Sequence, residues 1–93
     1  MTLEDIRREI DALDDQLLLL LNRRMGWVHK VGELKRATQT VIYRPEREKS
    51  ILDRVKKQNA GPLTADAIEA IYLEIFAAAR NIELPERIAY LGP

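Results

Sequence analysis

The 93-residue sequence predicts an all-α fold: a three-helix protomer with one very long first helix, paired with a second copy as a helical homodimer. Three observations predict it. Apolar residues recur at helical spacing through the first third of the chain. Two shorter apolar-faced segments follow, set apart by proline and glycine. The third is a mismatch of lengths: a compact globule of this size has a radius of gyration of roughly 12 Å, whereas a helix of about 35 residues is about 52 Å long. The rest of the chain cannot cover such a helix, so another chain must.

The first helix is expected over residues 3–37. Leu3, Ile6, Ile10, Leu13, Leu17 and Leu20, then Trp27, Val31 and Leu34, follow the alternating three- and four-residue steps of a heptad seam. Thr2 can cap it, with Glu4 and Asp5 in the electropositive first turn. The stretch Thr38-Gln39-Thr40-Val41-Ile42-Tyr43 is poor for helix, and Arg44 precedes Pro45, which disfavours the α conformation there. A loop is expected. Pro45 suits the first turn of a second helix, running to Gln58 with Ile51, Leu52 and Val55 inward; Asn59-Ala60-Gly61-Pro62 stops it. Thr64 can cap a third helix, with Asp66 in its first turn. Ala67, Ile68, Ile71, Tyr72, Ile75, Phe76 and Ala79 form its broad apolar face, and it ends before Pro85. Residues 87–93, Arg87-Ile88-Ala89-Tyr90-Leu91-Gly92-Pro93, read as a β-prone run cut off at the start of another domain, leaving residues 1–86 as the helical domain.

Composition excludes several classes. Fifteen basic and fifteen acidic residues cancel, so no bulk field gathers nucleic acid or an anionic membrane. No cysteine occurs, which removes disulfides, thiolate nucleophiles and thiolate metal sites. With His29 the only histidine, a metal would need carboxylates alone; no metal or cofactor is expected. The N-terminus lacks a signal peptide's basic and apolar regions, and the apolar run from Leu17 to Leu21 is far too short to span a bilayer. A cytoplasmic protein is expected. The glycines at 26, 32, 61 and 92 are isolated, and Ser50 is the only serine. Neither a phosphate loop nor a serine nucleophile motif can be built from them.

One seam position carries the chemistry. The step after Leu20 lands on Arg24, and a charge inside an apolar stripe costs several kcal/mol unless it is paired. The position asks for an anion, either a carboxylate of the protein or a bound ligand. Lys35 follows eleven residues later, which returns to within about 20° of the same direction and about 16 Å along the axis. Arg24, Val28, Val31 and Lys35 thus share a face on which two long cations could hold a small anion over an apolar floor. Arg7 lies about 100° away from Arg24 on the helical wheel and cannot join it within one chain. Arg47 and Glu48 near the start of the second helix and Glu83 near the end of the third complete a set of cations and carboxylates on helices. Such a set suits electrostatic stabilisation of charge moving within a bound polyanion.

The series Arg7, Ile10-Asp11-x-Leu13-Asp14, Leu17-Leu18-x-Leu20-Leu21-x-x-Arg24, Val28-x-x-Val31-Gly32-x-x-Lys35, then Pro45-x-Arg47-Glu48, resembles the all-helical chorismate mutases. The resemblance covers residues 3 to 84, and the combined spacing is what makes it specific. The tail Ala89-Tyr90-Leu91-Gly92-Pro93 looks like the opening of a prephenate dehydratase domain, so the whole resembles the N-terminal part of a bifunctional chorismate mutase–prephenate dehydratase. The resemblance implies an intertwined dimer whose long first helix is shared between two sites, and the pericyclic conversion of chorismate to prephenate without cofactor. By position it implies that Arg24 and Arg7 of the partner subunit hold the substrate's two carboxylates. Lys35 would donate to the ether oxygen and Glu48 accept from the ring hydroxyl, with Arg47 among the binding residues. A C-terminal dehydratase domain is the implied partner within a longer chain.

Three positions depart from the family pattern. Arg44 stands where an aspartate is common, leaving its backbone amide to serve. Ala79 replaces a frequent serine and its hydroxyl. Glu83 takes the place of a glutamine that donates to the ether oxygen, and a carboxylate donates only when protonated. Two other readings of the same residues are a lyase of the same fold acting on isochorismate and a catalytically silent dimerisation module. The dehydratase-like tail speaks against the first. Arg24 speaks against the second, since a scaffold would gain stability from leucine there.

Overall fold

A computed structural model gives the structure and describes residues 1–38 and 45–83. Among them are three helices and no strand: α1 (Leu3–Thr38), α2 (Pro45–Gln58) and α3 (Ala65–Glu83). Arg44, the remainder of the expected loop and the strand-like tail lie outside the described residues.

Each helix begins and ends for local reasons. At the start of α1, Thr2 Oγ1 accepts from the Asp5 amide at 3.1 Å, while the Asp5 carboxylate accepts from the Thr2 amide at 3.0 Å, a reciprocal capping box. The backbone hydrogen bond from Thr2, then the Arg8 guanidinium, holds the Asp5 carboxyl below its ordinary range. The other end of α1 runs one residue beyond expectation. The Thr38 hydroxyl donates to the carbonyls of Leu34 and Lys35 at 3.2 and 3.3 Å, so this β-branched residue is held in the last turn by back-bonding of its own side chain to the preceding turn. After α2, Asn59 organises the turn: its Nδ2 donates to the Leu63 carbonyl at 2.7 Å and its Oδ1 accepts from the Gly61 amide at 3.2 Å. Thr64 Oγ1 then caps α3 by accepting from the Ala67 amide at 3.1 Å.

In the tertiary arrangement α3 is the middle element. It packs against α1 on one side and α2 on the other, while α1 and α2 do not pack on each other. Among the described residues the buried apolar side chains are Ile51, Ile68 and Phe76, and Gly32 is the one buried residue of α1. A carbon added at Gly32 would stand 3.0 Å from the Glu83 carbonyl oxygen and 3.2 Å from its Cα, so the missing side chain is what lets the last turn of α3 reach α1. Arg36, one turn further along, donates to that same carbonyl at 2.6 Å, satisfying one of the groups a helix C-terminus leaves open. Two ion pairs tie α2 to α3, Lys56 with Glu69 and Arg80 with Glu48.

The N-terminal half of α1 is left bare. Leu3, Leu13 and the consecutive Leu17, Leu18, Leu19 and Leu20 are each more than half exposed. The radius of gyration is 16.7 Å and the longest extent 54 Å, against roughly 12 Å for the radius of a compact chain of this length. The expected seam is present, and none of the described residues covers it. Ile71, expected inward on α3, is also exposed, as is Leu73; the apolar face of α3 is wider than its two neighbours can cover.

Candidate active site

Because α1 and α2 both lean on α3 without meeting, a gap stays open between them. It forms a cavity of about 480 Å³. The C-terminal half of α1 contributes Arg24, Trp27, Val28, Val31 and Lys35; α2 contributes Arg47, Glu48 and Ile51; α3 contributes Phe76, Ala79, Arg80 and Glu83. The face expected from the eleven-residue spacing, Arg24, Val28, Val31 and Lys35, is therefore one wall, and the two core residues Ile51 and Phe76 supply apolar surface between the charges.

Arg24 answers the question its position raises. Among the described residues no carboxylate pairs with it; its guanidinium carbon stands 5.8 Å from the centre of the Phe76 ring. A ring face attracts a cation by about 0.5–1 kcal/mol at a part-exposed site. It takes up none of the guanidinium's hydrogen bonds to an anion, so Arg24 keeps that capacity for a ligand. Phe76 in turn leans on Tyr72, with ring centres 6.0 Å apart.

Among the described lining residues the charges are four cations against two carboxylates, an imbalance that favours an anionic guest. Glu48 is bound through Oε2 to Arg80 Nη1 at 2.5 Å. Burial pushes the Glu83 carboxyl above the usual glutamate range; Lys35 and Arg80 pull it back, and Glu48 pushes it further up. Glu83 thus keeps its proton more readily than an ordinary glutamate, and its backbone is clamped by Gly32 and Arg36 on α1.

The expected site residues fall into three groups. Arg24, Lys35, Arg47, Glu48, Ala79 and Glu83 come together around one cavity, with Ala79 offering a methyl where a hydroxyl would donate. Arg7 does not join them. It lies in the bare half of α1 and pairs with Glu4 at 3.7 Å on its own helix. Arg44 is outside the described residues. Trp27, which the heptad pattern places in the seam, and Arg80, which no pattern marks, are also lining residues. Arg80 could have been found by its position three residues before Glu83, on the same side of α3. Among the described residues no group of acidic or histidine side chains is placed to hold a metal, and no helix is long and apolar enough to cross a membrane.

The chain is 40% identical over 87 residues, 94% of its length, to a bifunctional chorismate mutase/prephenate dehydratase of Neisseria gonorrhoeae. It spans about a quarter of the length of the curated bifunctional relatives it matches, 24% and 26% in two of them. Among solved structures, a chorismate mutase (form II) from Thermus thermophilus superposes with a TM-score of 0.84 at 30% identity, covering 86% of this chain and 91% of that one. A chorismate mutase from Helicobacter pylori in complex with prephenate gives 0.81 at 34% identity, covering 87% and 88%. The family model for chorismate mutase type II matches residues 6–84, and with the three helices and the cation-lined cavity they build, the chain belongs to that family.

Proposed function

We propose that this cavity binds chorismate and converts it to prephenate, as one step of aromatic amino acid biosynthesis in the cytoplasm. The observation that carries the reading is the wall on which Arg24 and Lys35 flank an apolar floor, facing Glu48 and Glu83. The reaction is an internal rearrangement: the ether C–O bond breaks as a C–C bond forms, and no atom or proton is gained or lost. A protein can assist it only by holding the reactive shape and by stabilising the charge that grows on the ether oxygen. Long cations fixed on helices do both.

In this reading Arg24 binds one substrate carboxylate, and Arg7 of the partner subunit binds the other. Arg47 adds positive charge at the start of α2. Lys35 donates to the ether oxygen from one side and protonated Glu83 from the other, while Glu48 accepts from the ring hydroxyl. Burial of Glu83 supports its role, because it favours the form that can donate. The backbone amide of Arg44 is a further donor, and the Ala79 methyl packs where a hydroxyl contact is dispensed with.

The active unit is a homodimer. The bare leucines of α1 need a cover, and Arg7, at the far end of the same helix, needs a route into a cavity. An antiparallel second copy meets both needs at once. The relatives named as bifunctional enzymes, of which this chain spans about a quarter, support its being the mutase unit of a longer chain that ends in a dehydratase domain.

Two measurements test the reading. Loss of chorismate absorbance should follow addition of the purified protein, with no added metal or cofactor; absence of turnover would remove the assignment. Arg7→Ala and Arg24→Ala proteins, each inactive, should regain activity when mixed and allowed to exchange subunits, because one site of the heterodimer then holds both arginines. Exchange without recovery would mean that Arg7 does not act across the dimer.

A further inference from the structure

We propose that Arg80 is a positioning residue of this site: from α3 it holds the Glu48 carboxylate of α2 by one oxygen and leaves the other to accept from the bound substrate. The proposal rests on the reading of Glu48 as the acceptor of the substrate's ring hydroxyl.

The geometry assigns the role. Arg80 Nη1 meets Glu48 Oε2 at 2.5 Å across the α2–α3 junction, and both residues line the cavity. The carboxylate is the more withdrawn partner, its side chain 23% exposed against 42% for the guanidinium. A part-buried carboxylate needs a fixed cation or donor to offset its lost hydration, and Arg80 is the cation placed against it. A glutamate side chain has several rotatable bonds, whose freedom is lost when it is fixed. With Oε2 held, that freedom is gone before the substrate arrives, which is what preorganisation of a binding group means.

The pair also shapes the field a dianion meets. Unpaired, Glu48 would present a naked carboxylate to a substrate carrying two of its own. Paired, it is locally neutral, and the charge seen by the guest is that of Arg24, Lys35 and Arg47. The two partners act on Glu83 in opposite senses, Arg80 lowering its proton affinity and Glu48 raising it. A second α2–α3 ion pair supplies the comparison: Lys56 and Glu69 join the same helices away from the cavity. If Arg80 were only a strut, the two pairs would be equivalent in function. They differ because one of them ends on a group that touches substrate.

The test is a double-mutant cycle on kcat/KM for chorismate, with melting recorded for each protein. Arg80→Gln should lower kcat/KM by about tenfold or more, the usual scale for removing a residue that orients a ligand-binding group. Combined with Glu48→Gln it should add little, less than about twofold, because the group it acts on is already neutral. Arg80→Lys should recover most of the loss, and Lys56→Gln should leave kcat/KM unchanged. If Arg80→Gln does not fold, Arg80→Lys carries the cycle: a partial loss in the parent and none beside Glu48→Gln. Equal losses from the Arg80 change in both backgrounds would overturn the proposal, as would no loss in the parent. Full activity of Glu48→Gln would instead overturn the assignment of Glu48 on which it rests.

Discussion

Arg24→Leu separates the cost of this site from its benefit. Arg24 sits part-exposed over the Phe76 ring, and losing that cation–ring contact costs about 0.5–1 kcal/mol. Leucine at the same place gains apolar burial. A fully buried leucine is worth about 1.5–3 kcal/mol, and a half-buried one roughly half of that. The arginine stem already covers some of the same surface, so the net change in stability should lie within about 1 kcal/mol of zero. For a domain of this size that is a shift of no more than about 4–8 °C in melting temperature. The loss in rate is of another order. Removing one preorganised donor to developing or bound charge typically costs about 100–1000-fold, or roughly 3–4 kcal/mol. Melting followed by helical circular dichroism, and initial rates of chorismate consumption, should be measured on the same preparations. A mutant that is nearly inactive and melts close to the parent is the expected result. One that melts far below the parent would mean that Arg24 pairs with a carboxylate of a second copy and is structural. One that keeps activity within about tenfold of the parent would remove Arg24 from the substrate's carboxylate.

Four further outcomes follow from the same structure. Glu83 has its folded-state pKa raised by burial, so turnover should rise as pH falls from about 8 toward 5, and Glu83→Gln should flatten that profile; matching profiles would exclude Glu83 as the ether-oxygen donor. The stability sign is the same. Protonated Glu83 favours the fold below its unfolded pKa of about 4.3, and this is lost as pH rises through the higher folded value, so Glu83→Gln should melt above the parent near neutrality but not in acid. Gly32→Ala gains up to about 1 kcal/mol of helix propensity but forces Cβ onto the Glu83 backbone at 3.0 and 3.2 Å, an overpacking cost of about 1–3 kcal/mol; a lower melting temperature with reduced kcat is expected, and a stabilised, fully active variant would show that the α1–α3 contact has slack. Sedimentation at micromolar concentration should find a dimer, and a folded helical monomer would contradict the cover proposed for the bare leucines.

How far the sequence could be read depended on whether a feature is local. Helix limits were legible because caps and stops act over a few residues: Thr2, Pro45, Asn59 and Thr64 all do what their side chains and ring geometry favour. The Arg24–Lys35 wall was legible because helical geometry relates them without any tertiary knowledge. The exposed seam was legible as a mismatch between the length of α1 and the material available to cover it. What spacing could not show is which turns of different helices meet. Arg80 reaches Glu48 across 32 positions of sequence and Arg36 reaches the Glu83 carbonyl across 47, and neither pairing leaves a periodic trace within one helix. Gly32 is an intermediate case. A glycine inside a helix costs about 1 kcal/mol relative to alanine and so asks for a reason, but Gly26 of the same helix has nothing within 4 Å of its missing side chain, so sequence could not say which of the two marks a close approach.

The positions that break local rules gather in one place, and this bears on whether the chain is a catalyst or a tether. Arg24 is a cation where the stripe asks for leucine, Gly32 is a helix interior without a side chain, and Glu48 and Glu83 are part-buried carboxylates. Each costs stability by a known route, and each lies on the cavity or one turn from it. A module kept only for dimerisation would gain from replacing them, because nothing in holding two chains together needs a charge in the apolar wall of a cavity. The bare half of α1 shows the contrast. There the seam runs Leu3, Ile6, Ile10, Leu13, Leu17, Leu20 without a polar interruption, as a surface selected for cohesion should. The same helix is therefore written in two ways, optimal for packing over its first half and suboptimal over its second. Retained local cost at converging positions is the mark of a site held in place by function rather than by folding.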